Sequence, residues 1–343
     1  MYLEEPAAAL PRIGKETLIP ALVCAGICVI LMRAGFFSFF FLVPLGVCAV
    51  VFGPAAAWLG AVCAALGNGL WSAALSAHYG GLAGMGLDTL FFAVLSLGFT
   101  WVMAGSPPRP AIPPVRTAVR FIAVSAAGAL VLLGVMYSMG NDEGFSALLR
   151  SQIDAIAVSY IAATGTDAAQ RAFLEQTLTA DRVIELFSMI ILRGGALISA
   201  LFLLFFNRQA AFVLARLFPQ YSRRQRGDLI GFHVPRGAIW ILSFCLPVIL
   251  LCRTVSWEMI EIAAWNILVM CATMFLAQGS GIVLFNLARR PMSVIMRLLC
   301  AVLVVCVIFS PGINALALTL LILLGIAENW LPLRVTKQET PGV

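Results

Sequence analysis

The chain alternates long apolar stretches with short polar breaks. From Ala34 to Leu87 there is no Asp, Glu, Lys or Arg. At about 1.5 Å rise per residue, such a run crosses a hydrocarbon core of roughly 30 Å more than twice. The strict period-2 alternation of a membrane barrel is absent, so the predicted spans are helices. Ten are predicted, over residues 17–32, 36–53, 54–76, 82–104, 117–139, 184–206, 237–253, 259–286, 293–310 and 312–330. Gly53-Pro54 separates the second from the third as a tight helix break. The glycine-rich "HYGGLAGMG" joins the third to the fourth. The fold class expected is an all-α, polytopic transmembrane bundle.

Between the fifth and sixth spans the pattern changes. Residues 140–185 hold seven acids (Asp142, Glu143, Asp154, Asp167, Glu175, Asp181 and Glu185) against three arginines. Phe145, Leu148, Leu149, Ile153, Ile156 and Tyr160 recur at helical spacing and predict one amphipathic helix. Asp167 opens a second, with Phe173, Leu174 and Leu178 on one face. This insert reads either as a lid over the bundle or as a plain connector.

Basic residues set the expected orientation. Arg109, Arg116 and Arg120 mark one linker. Arg208, Arg216, Arg223, Arg224, Arg226 and Arg236 mark the 207–236 loop, against Asp228 alone. Arg289, Arg290, Arg334 and Lys337 mark two further ends. With ten spans all of these share one side, which makes both termini cytoplasmic and the insert external. Arg33 and Arg253 then stand as isolated exceptions on the outer side.

Composition agrees with the pattern. Hydrophobic residues make up 62% of the chain and charged residues 11%, too few for the surface of a soluble domain of this length. The net charge of +6 follows the loop asymmetry, and "RRQRGD" at 223–228 reads as a lipid-facing topology signal; no nucleic-acid partner is expected. The nine cysteines all lie in or beside apolar segments, so they form no disulfide framework, and Cys24 and Cys28 read as packing residues. The stretch from Thr17 has no clean cleavage site after it and reads as a retained first span. There is no P-loop and no H-E-x-x-H, and His78 and His233 are far apart in the sequence. No cofactor, metal site or enzymatic activity is expected.

Polar residues within the spans are the candidates for function. Arg193, in "ELFSMIILRGGALISALFLLFF", sits near mid-membrane. A guanidinium there is expensive, so it is expected to face the bundle interior with a partner. Gly194 and Gly195 follow it and permit close approach of a backbone or ligand. Asp88 is the expected partner, with Glu185 as second option. Two readings stay open: an Arg193–Asp88 clamp between helices, or an anion site in which Arg193 grips a carboxylate or phosphate. Asn68, between Gly67 and Gly69, either shares that cavity or bonds across helices. In the eighth span Asn266, Gln278, Gly279 and Gly281 are expected at helix-packing positions, and Ala21-x-x-x-Ala25 gives the first span a small-residue face.

Two stretches resemble known families. "LVPLGVCAVVFGPAAAWLGAVCAALGNGLW", residues 42–71, resembles the substrate-binding S components of ECF vitamin transporters. That resemblance implies that Ala21 and Ala25 dock a coupling subunit, with ATPase subunits beyond it. "PRGAIWIL", "WNILVMCATMFLAQGSGIVLFNLARR" and "LLGIAENWLPLR" resemble the YybS-like family of uncharacterised bacterial membrane proteins, which joins an S-component-like region to extra C-terminal helices. The matching positions are Pro235, Asn266, Gln278, Gly279 and the Glu328–Arg334 segment; Glu328 stands where the family closes with an aspartate. The resemblance implies a multi-pass protein of the bacterial cytoplasmic (inner) membrane. It divides the chain into an S-component-like region at 1–139, the insert at 140–183, a C-terminal five-helix region at 184–333 and a tail at 334–343. The function expected is binding or transport of a small anionic solute, with Arg193, Asp88 and Asn68 as the substrate-binding set. The alternative is a non-transporting membrane scaffold or regulatory partner, self-association included, in which the Arg–Asp pair is structural.

Overall fold

The computed structural model describes residues 14–74, 82–104, 114–141, 143–163, 167–218, 231–289, 293–310 and 312–334. The glycine turn with His78, the 105–113 linker, the "RRQRGD" run and the 335–343 tail lie outside the described residues. The described residues are helical, without strands. Among the described residues seven helices are long and apolar enough, by length and composition, to cross a membrane, beside the ten spans expected from the sequence.

The first compact unit takes in residues 1–109 and 120–225. It contains α1 (Lys15–Arg33), a 3₁₀ turn (Gly35–Phe40), α2 (Val43–Val51), α3 (Pro54–Ala74) and α4 (Leu82–Ala104). Most of α5 (Pro114–Gly140) follows, then α6 (Glu143–Ala163), α7 (Ala168–Thr177), α8 (Ala180–Ile190) and α9 (Ala196–Ala215). The expected second span is where the structure departs most from the pattern. Gly35 turns the chain at φ 58°, Pro44 sits in the first turn of α2, and Gly53, at φ 94°, ends the element before Pro54. What remains is a nine-residue helix, about 14 Å long and under half a membrane crossing.

That short helix is the centre of the unit. Phe41, Leu42 and Leu45 are buried with Phe92, Leu95 and Phe99 of α4 and Leu204 and Phe212 of α9. The rings of Phe41 and Phe92 lie 5.3 Å apart. Asn207 of α9 holds the entry to α2. Its Nδ2 donates to the carbonyls of Phe39 and Leu203, both at 2.8 Å, and its Oδ1 accepts from the Leu42 amide at 3.2 Å. The backbone groups at the change from 3₁₀ turn to α-helix have no regular helical partner, and the amide side chain supplies one.

The insert contains two helices at the expected places, with Asp167 at the N-cap of α7. Arg150 of α6 pairs with Asp181 of α8 at 3.1 Å.

The second unit takes in residues 110–119 and 226–343. Its helices are α10 (Gly237–Val255), α11 (Glu258–Ala288), α12 (Val294–Phe309) and α13 (Ile313–Ala327). Val234, Ala238 and Phe275 form its core. The compact units therefore place α9 with the N-terminal helices, whereas the sequence division at 184 grouped it with the C-terminal ones. The physical reason is the packing of α9 on α2.

Candidate functional site

Asp88 pairs with Arg33, not with Arg193. Arg33 ends α1, Asn68 and Ser72 lie one turn apart on α3, and Asp88 lies on α4. The four side chains form one polar cluster. Arg33 Nη2 donates to Asp88 Oδ2 at 2.5 Å, Asn68 Oδ1 at 2.8 Å and Ser72 Oγ at 2.9 Å. Ser72 Oγ and Asn68 Nδ2 donate to the same Asp88 oxygen, at 3.0 and 3.4 Å. Asn68 and Ser72 are fully buried, while the Arg33 and Asp88 side chains are 19% and 22% exposed. This answers the expense of both charges: each is neutralised by the other and by hydrogen bonds from the helix between them. The expected Arg193–Asp88 clamp is thus replaced by an Arg33–Asp88 clamp joining α1, α3 and α4.

The cluster is asymmetric. Among the described residues every hydrogen bond that Asp88 accepts goes to Oδ2.

Arg193 marks a break instead. The apolar segment Ala180–Ala215 is 36 residues long, but it is not one helix. Between α8 and α9, Ile191–Gly195 forms a wide π turn with Arg193 at φ −86°, ψ 29° and Gly194 at φ 118°, ψ −11°. A side chain at Gly194 would be strained there, because L residues rarely adopt that φ. Gly194 is buried and Arg193 half-buried. The two glycines therefore interrupt the helix; the sequence pattern shows an unbroken span through them. In an apolar segment such interruptions are tolerated where the backbone is buried in protein or lines a cavity.

The other expected positions fall as follows. Ala21 and Ala25 are buried within the chain, and a Cβ on Gly60 of α3 would lie 3.2 Å from the Ala21 carbonyl oxygen. That face is covered by α3, so it is not a free docking face for a coupling subunit. Asn266 donates to the Ile262 carbonyl at 2.9 Å, and Gly281 is buried on α11. At Gly279 α11 crosses α13 in direct backbone contact. A Cβ there would fall on the Leu321 carbonyl, and a Cβ on Gly325 would fall on the Phe275 carbonyl.

No protein-family model, curated protein or solved structure matches this chain.

Beside the glycine crossing lies a second polar cluster that the sequence pattern showed only in outline. Glu328 and Arg334, 5% and 7% exposed at their side chains, form a two-point pair at 2.9 and 3.0 Å. Gln278 Nε2 donates to Glu328 Oε2 at 2.9 Å and to the Gly325 carbonyl at 3.1 Å, and its Oε1 accepts from the Val234 amide at 2.6 Å. Arg334 also donates to the carbonyls of Phe232 and Gln278. His233 lies 3.8 Å from Glu328. The cluster staples the 231–234 segment, α11 and the C-terminal 328–334 segment together.

Arg253, in the last turn of α10, pairs with Glu261 at 3.7 Å. Arg208, assigned to a loop, lies inside α9 and is buried. Among the described residues no group of three or more His, Cys, Asp or Glu is placed to hold a metal ion.

Proposed function

We propose that the chain is a multi-pass membrane protein that binds a small anionic solute at the break between α8 and α9. The observation that carries this reading is the helix interruption at Arg193–Gly194 inside a continuous apolar segment. Discontinuous helices are a recurring way to build a solute site at membrane depth, since a half-helix N-terminus points its positive end at an anion. Here α9 begins at the break, and a guanidinium stands beside its start. Asp88 and Asn68 belong to the clamp with Arg33, so in this reading they hold α1, α3 and α4 in place around the site. The protein acts without catalysis in this proposal. Its membrane is the bacterial cytoplasmic one, as the resemblance to S components and the YybS-like family implies, and the loop charge bias puts the arginine-rich ends on the cytoplasmic side. Any energy-coupling partner would need a surface other than the Ala21–Ala25 face.

A second reading is a non-transporting scaffold. The Arg33–Asp88 cluster favours it, because a polar network that satisfies itself needs no solute. Native mass spectrometry of gently purified wild type beside Arg193→Gln separates the two. The proposal expects a small anion retained by the wild type and lost in the variant. Ligand-free spectra for both, with the variant less heat-stable, would move the assignment to the scaffold.

A further inference from the structure

Pro247 lies inside α10 and carries no N–H. The Ser243 carbonyl, four residues back, therefore lacks its ladder partner. Among the described residues no side chain donates to it instead. Two more polar groups nearby are left over. The Ser243 hydroxyl and the Trp240 indole N–H make no hydrogen bond among the described residues. That is not the habit of these helices. Thr254 of α10 returns its hydroxyl to the Leu251 carbonyl at 2.7 Å, and Ser96, Thr273 and Thr319 bond to the carbonyl four residues back. Inside a bilayer an unmet carbonyl is costly, and a proline in a span is tolerated where something else meets the freed group.

These groups border one groove. Trp240, Ser243, Phe244 and Pro247 recur at helical spacing and share a face of α10. With Ile267 of α11 they line a groove of about 660 Å³, within the range of small-molecule sites. Trp240 and Phe244, 76% and 71% exposed, leave it open at the side. Its two ends differ in depth. α10 is long and apolar enough to cross a membrane, and Arg236 immediately precedes it. That charge belongs at the membrane surface, which puts Trp240 and Ser243 close to the surface. Pro247 lies about 10 Å further along the helix axis. Polar atoms therefore gather at the shallow end and apolar side chains at the deep end, which is the layout of a lipid in its leaflet.

We propose that this groove binds a lipid alcohol, a single apolar chain headed by a hydroxyl. A hydroxyl donates one hydrogen bond and accepts others. It gives the Ser243 carbonyl the proton that Pro247 cannot, and it accepts from the Trp240 N–H or the Ser243 hydroxyl. An ester or ketone head only accepts and leaves the carbonyl unmet. A phosphate or ammonium head brings a charge that no side chain lining the groove compensates. The chain lies along Phe244, Pro247 and Ile267. The groove belongs to the second unit and shares no residue with the break at Arg193, so the two sites stand or fall separately.

The test is photo-crosslinking of the full chain in phosphatidylcholine nanodiscs with a diazirine-bearing farnesol. Unlabelled farnesol and farnesyl methyl ether serve as competitors. The expected result is saturable labelling that maps to residues 240–247 and Ile267. Farnesol should compete, and the methyl ether, which accepts but cannot donate, should compete several-fold less well. Pro247→Ala returns an N–H to the Ser243 carbonyl, so it strengthens the helix while removing the acceptor. It should weaken labelling several-fold, as should Trp240→Phe, which keeps a ring and loses the N–H. Labelling spread evenly over the helices, equal competition by alcohol and ether, or undiminished labelling of Pro247→Ala overturns the site.

Discussion

Arg33 and Asp88 form a pair that is expensive to break and cheap to replace. Removing one partner leaves the other charge within a polar pocket built for two. Both side chains keep some contact with the surroundings, so the penalty is below that of a fully buried pair. Arg33→Gln and Asp88→Asn are each expected to cost about 1–3 kcal/mol. The double variant should recover part of that sum, and a double-mutant cycle on melting temperature measures the coupling. Strictly additive losses would mean that the pair is incidental. The ingredients of this cluster were legible in the sequence. Arg33 closes the first span, and Asn68 and Asp88 lie in the outer parts of the third and fourth, all at one depth. Pairing Asp88 with Arg193 overlooked that level and ranked burial of the arginine above it. The helix break at Gly194 is likewise written in the chain as two glycines. Their backbone angles depend on tertiary packing, which no hydropathy pattern conveys.

At the scale of elements, hydropathy identified the long helices well and the short ones poorly. A continuous apolar run looks the same whether it crosses a membrane or folds as a short buried piece. The Gly35–Val51 segment is the second kind, because a positive-φ glycine, a proline and another glycine divide it. Helix association inside a bilayer gains little from hydrophobicity, since lipid tails are as apolar as leucine; close packing has to do the work. The crossing of α11 and α13 at Gly279 and Gly325 is the clearest instance. Either glycine changed to leucine puts a side chain into the facing backbone carbonyl, which has no way to swing aside. Each variant is expected to lose about 2 kcal/mol or more, read as a lower melting temperature. Unchanged stability in Gly279→Leu would show that the helices separate there at little cost.

For the whole molecule, the segment 35–51 and α9 depend on each other across most of the first unit. Asn207 bonds to Leu42 over 165 residues of sequence. At about 5–20 residues per second of synthesis, the ribosome needs roughly 10–30 s to make that stretch. Throughout that interval the backbone of Phe39 and Leu42 lacks the side chain that will satisfy it. The N-terminal helices thus enter the membrane as an unfinished assembly, and α9 is the piece that completes them. Asn207→Leu keeps the bulk and removes the bonds, so it should slow maturation more than it lowers the final melting temperature. Pulse-chase protease resistance of the nascent protein reads that delay, and a variant maturing as fast as wild type would place the rate-limiting step elsewhere. With the expected delay, the quality-control machinery of the cell sees one decisive moment in the birth of this protein: the arrival of its ninth helix.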